Sequence, residues 1–69
     1  MKEKIELVIS YEVLMFVDGV PANERDVAIN ASVRRIIEFF GLRELEASLG
    51  VAKSDIPSYL YGRIAEKWE

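Results

Sequence analysis

The side chains that could do chemistry in this chain are serines, carboxylates and a small set of arginines and lysines. It has no histidine and no cysteine. The usual nucleophiles, general bases and soft metal ligands are therefore missing. The serines have no partner base in the pattern around them. The 12 acidic residues are scattered at outward helical spacing and read as a solvated face. The four glycines stand singly at predicted helix ends, not in a loop that could cradle a phosphate. The chain is thus expected not to be an enzyme and to use no cofactor or metal. What remains is the chemistry of binding: cations, hydroxyls and apolar surface.

Those groups must be positioned by helices, and the stretch from Leu45 to Arg63 carries the clearest helical punctuation. Leu45 and Leu49 are four apart and share a face. Gly50 follows, where a helix needs a left-handed residue to stop. Val51 is the apolar residue after the turn. Ile56, Tyr59 and Leu60 then recur at helical spacing, and Gly62 is read as the end of the second helix. Two helices too short to stand alone would be pinned here by a small apolar cluster.

The pattern L-x-x-x-L-G-V-x-K-S-x-I-x-x-Y-L-x-G-R resembles the helix-turn-helix of the Cro and lambda repressor-like transcriptional regulators. The resemblance covers about a third of the chain. It implies a glycine in the turn, an isoleucine locking the second helix, and sequence-specific binding to double-stranded DNA. It places Lys53, Ser54 and Ser58 at the start and outer face of the recognition helix. It offers Arg43 and Arg63 as phosphate clamps, and Tyr61 as a contact to sugar or a thymine methyl. Tyr59 falls at a core position. Glu46 stands where the family has a small residue, and Pro57 where it has a polar residue facing DNA.

The 69 residues allow one domain. So small a domain lies near the lower limit for independent stability, and without cysteine no disulfide can help. Its apolar share of 51% is enough for a core with apolar surface to spare, which predicts a homodimer. The net charge of −3 argues against strong nonspecific attachment to nucleic acid and leaves room for a local basic face. The first residues carry Glu3, Glu6 and Glu12, unlike a secretory leader. No apolar run is long enough for a membrane span. A cytoplasmic location is the expectation.

The amino-terminal part satisfies two periods at once. Ile5, Leu7, Ile9, Tyr11 and Val13 alternate as in a strand. Ile5, Val8, Ile9, Val13, Phe16, Val17 and Val20 fit a helix. Punctuation decides: Ser10 is a plausible cap, with Glu12 in the first turn and Asp18-Gly19 as the stop. Residues 3–9 are therefore read as extended and 10–18 as a helix, with a hairpin at Asp18-Gly19 as the strand alternative. Leu14, Met15, Phe16 and Val17 have no polar break. Leu14, Met15 and Phe16, with Phe39, are the candidate dimer interface. Asn23 with Asp26 approximates a capping box for a helix running to about Phe40, closed by Gly41. Helices over Leu42–Leu49 and Lys53–Tyr61 follow, the second capped at Ser54 or Asp55 so that Pro57 falls in its first turn. A terminal helical turn over Ile64 to Trp68 is expected after Gly62, with Trp68 folding back on the core.

The sequence thus predicts an all-α domain: a small helical bundle with a short extended amino-terminal segment, a dimerisation region over residues 1–22 and a helix-turn-helix over 42–63. The expected function is DNA binding as a small dimeric transcriptional regulator. The alternative is a protein–protein interaction module that uses the helix-turn-helix only as scaffold.

Overall fold

Ile5, Ile9, Val13 and Val17, each four residues from the next, run down the inner side of the first helical segment, and all four are buried. In the computed structural model, which describes residues 1–66, this segment is α1 (Lys2–Glu12) continued by a π-helical turn (Val13–Val17). A 3-10 turn (Ala22–Glu24) leads into α2 (Arg25–Phe40). Next come α3 (Leu42–Leu49), a 3-10 turn (Lys53–Asp55) and α4 (Ile56–Ala65). The protein is all-α, with no strand among the described residues. Trp68 lies outside them.

The expected extended stretch over residues 3–9 is helical instead. Ser10 sits inside α1 rather than capping a helix. The alternation that suggested a strand has another origin. Ile5, Ile9 and Val13 form one stripe at four-residue spacing, and Leu7 and Tyr11 form a second, offset by two. Two helical stripes offset by two residues reproduce a period of two. The inner stripe is buried, while Leu7 is 70% and Tyr11 54% exposed. The π turn closes with the Asp18 amide donating to the Val13 carbonyl at 2.8 Å. Its wider turn keeps Val13 and Val17 inward and leaves Leu14, Met15 and Phe16 outward.

α2 is the central helix, packed against the π turn, α3 and α4. It buries Ile29, Val33 and Ile36. The capping box does not form, because no side chain caps α2. Pro21 starts a 3-10 turn directly, with the Glu24 amide on the Pro21 carbonyl at 2.8 Å. Asn23 lies within that turn, not at the extended cap position. Gly41 ends α2 and begins α3. Its φ of 87° and ψ of 145° suit glycine alone, and its carbonyl accepts from Leu45 at 3.1 Å.

Gly50 stops α3 in the left-handed conformation (φ 69°, ψ 29°), as its position predicts. α4 starts as expected, with Asp55 at the cap position and Pro57 in the first turn, although the Asp55 side chain makes no capping bond. Leu45, Ile56, Leu60 and Ile64 are fully buried and lock α3, α4 and the rest of the core together. Gly62 does not end this helix, which runs on to Ala65. A mid-helix glycine costs about 1 kcal/mol relative to alanine. Burial of Ile64 and the ion pairs of Arg63 outweigh it.

Candidate functional site

Two surfaces stand out, one at the start of α4 and one on the outer side of α1. At the first, Lys53 and Ser54 lie in the 3-10 turn, and Ser58 follows Ser54 by four residues, on the same face. All three are exposed. None has a side-chain hydrogen bond or ion pair with a described residue. Arg43 is also exposed, at the second position of α3. The turn at Gly50 and the burial of Leu45, Ile56 and Leu60 in the shared core hold this row outward.

Tyr61 and Arg63 are engaged elsewhere. The Tyr61 hydroxyl donates a short hydrogen bond to the Asp26 carboxylate on α2. That bond, with lesser contributions from desolvation and the negative charge of Asp26, raises the phenol's pKa above its ordinary value. Arg63 faces α1: its Nη1 and Nη2 both donate to the Glu6 carboxylate, the former at 2.8 Å. Nη1 also donates to the Tyr59 hydroxyl at 3.1 Å, and Nε lies 3.4 Å from Glu66. Glu6 first, then Tyr59, raises the guanidinium's already high pKa, so it stays charged at every working pH. Arg63 lies on a different side of α4 from Ser58, and it bridges α4 to α1. Tyr59 is half-buried against the core, as its position predicts.

No protein-family model matches the chain, and neither the curated proteins nor the solved structures hold a match.

The second surface contains the predicted interface residues. Leu14 is 66%, Met15 55%, Phe16 43% and Phe39 65% exposed. The structure adds Leu7, which the extended reading of residues 3–9 hid, and Tyr11, which lies in the stretch read as a helix. Leu7, Tyr11 and Leu14 fall at helical spacing of four and three, and that spacing was the signal that could have found them. The Tyr11 and Phe16 rings meet edge to face, 6.3 Å between centroids. Beside them, an open groove of about 530 Å³ runs between α1 and α2, lined by Val8, Tyr11, Glu12, Arg35, Glu38 and Phe39.

An ionic cluster fixes this region. Glu12 Oε1 accepts from Ser32 Oγ at 2.8 Å and from Arg35 Nε and Nη2 at 3.0 and 2.7 Å. Glu12 and Ser32 are buried. A buried carboxylate is tolerated only with such partners. The Arg35 guanidinium also covers the Phe16 ring at 4.2 Å, a cation–π contact that ties the π turn to α2.

Proposed function

We propose that the protein binds double-stranded DNA through the outer face of the α3–α4 unit, as a small dimeric transcriptional regulator. The observation that carries this reading is the exposed row of Lys53, Ser54 and Ser58 at the amino end of α4, without side-chain partners among the described residues. Lys53 supplies a phosphate contact, and the positive end of the helix dipole adds to it. Ser54 and Ser58 offer hydroxyls to phosphate or base edges, with little power to discriminate between bases. Arg43 offers a second cation from α3. Arg63 contributes only if Glu6 releases it, and Tyr61 only if it leaves Asp26. The footprint is small and the chain acidic, so affinity should be modest and strongly salt-dependent.

The test is fluorescence anisotropy of a labelled mixed-sequence duplex at low salt. Lys53→Ala should weaken binding and reduce the slope of log K against log salt by about 1. Absence of binding at low salt, or an unchanged slope in Lys53→Ala, would contradict the reading.

A second reading, an interaction module without DNA, is favoured by one observation. Two of the six candidate DNA contacts, Tyr61 and Arg63, are already paired with carboxylates.

A further inference from the structure

α1 is apolar on two opposite sides, and the described residues cover only one of them. Inside, Ile5 and Ile9 are at most 1% exposed. Outside, Leu7, Tyr11 and Leu14 form a ridge, flanked by Met15, Phe16 and Phe39. The six residues are 43–70% exposed. Taking roughly 200 Å² as the full surface of each, they present on the order of 700 Å² of apolar surface per protomer. A lone monomer's largest apolar patch is about 300–600 Å². A standard specific interface buries about 800 Å² on each partner. The patch therefore exceeds the usual range for a free surface and approaches the area one partner contributes to a standard interface.

We propose that the partner is a second copy of this chain, with the two α1 helices packed antiparallel about a two-fold axis near Tyr11. This deepens the dimeric part of the function proposed above and does not depend on whether α4 meets DNA. The order of the ridge, Leu7-Tyr11-Leu14, reads the same in both directions. An antiparallel two-fold therefore brings Leu7 of one copy against Leu14 of the other, and Tyr11 against Tyr11, as an isologous contact requires. The charges choose the direction. The amino end of α1 holds Lys2 and Lys4. Its two nearby acids are engaged, Glu3 by the amino-terminal amine at 3.7 Å and Glu6 by Arg63. Beyond the other end stands exposed Asp18. Antiparallel packing sets the lysines of each copy near Asp18 of the other, and parallel packing would stack lysine on lysine. Helix dipoles favour the same direction. The groove between α1 and α2 lies beside this seam and gives the partner's side chains room to enter.

The absence of native cysteine makes the test clean. Sedimentation of the full chain over a concentration series should show a dimer without any DNA. Leu7→Glu and Leu14→Glu should each weaken it at least about tenfold while keeping the helical circular dichroism, because both positions are exposed in the protomer. Under mild oxidation, a mixture of Leu7→Cys and Leu14→Cys proteins should form the mixed disulfide. Neither should couple with itself, because an antiparallel pair separates like positions by roughly 10 Å along the axis, beyond disulfide reach. A monomer at all concentrations, a dimer indifferent to both glutamates, or Leu7→Cys coupling with itself would each overturn the proposal. A dimer that ignores DNA would leave it standing and remove only the DNA reading.

Discussion

α1 and α4 are of similar length and lie in the same small core, yet they end differently. α4 buries Ile56, Leu60 and Ile64 completely and shows solvent Pro57, Ser58 and Gly62. Its own chain meets every large apolar side chain it has, in full or in part. α1 buries Ile5 and Ile9 just as completely, then shows solvent Leu7 and Tyr11, with Leu14 and Met15 beyond. A helix with apolar residues on one stripe is finished by its own domain; one with two stripes needs something more. The difference divides the molecule into a face suited to polar contact and a face suited to association.

Truncation of one buried and one exposed leucine separates the two helices by the largest margin. Leu60→Ala should cost about 3 kcal/mol, much of what an 8 kDa domain has to spare. Leu7→Ala should change protomer stability by less than about 0.5 kcal/mol. Urea denaturation at concentrations where the protein is monomeric reads both. Equal losses would mean that the outer stripe is core after all. Next in size, Glu12→Ala should cost about 2 kcal/mol, because it leaves the buried Ser32 hydroxyl and the Arg35 guanidinium without their acceptor. The same denaturation series checks it, and a neutral result would show that the cluster does not fix the α1–α2 side.

A smaller effect is expected from the bond that ties α4 to α2. Tyr61 is held neutral by donating to Asp26, so its folded pKa lies above its unfolded value. The stability this contributes is complete below the unfolded phenol's pKa near 10. It is lost as pH rises through the higher folded value. Wild type should therefore lose stability on alkaline titration more steeply than Tyr61→Phe. Identical profiles would mean that the bond to Asp26 is not formed in solution.

How much of this the sequence disclosed follows from where its signals come from. α3, the turn and the start of α4 were legible because glycine and proline impose local conformations: Gly50 had to be left-handed, and Pro57 had to fall in a first turn. The all-α class follows from the same signals and from the stripe along α2. Residues 3–9 were misread because two interleaved helical stripes imitate a strand period, and only burial tells them apart. Gly62 was misread as a stop because Ile64 and Arg63 hold the helix beyond it through contacts distant in sequence. For the candidate DNA face, Lys53, Ser54 and Ser58 could be singled out by position. The capture of Arg63 by Glu6, 57 residues away, and of Tyr61 by Asp26, 35 away, could not. Such pairings depend on which elements become neighbours.

The most direct test of the division between the two faces is an amide chemical-shift titration of the labelled protein with a generic DNA duplex at low salt. We expect shifts clustered at residues 52–63 that fade as salt rises, while residues 5–17 stay unmoved. Shifts confined to residues 5–17, or none at all, would contradict a DNA-binding face on α4 and leave the chain as an assembly module.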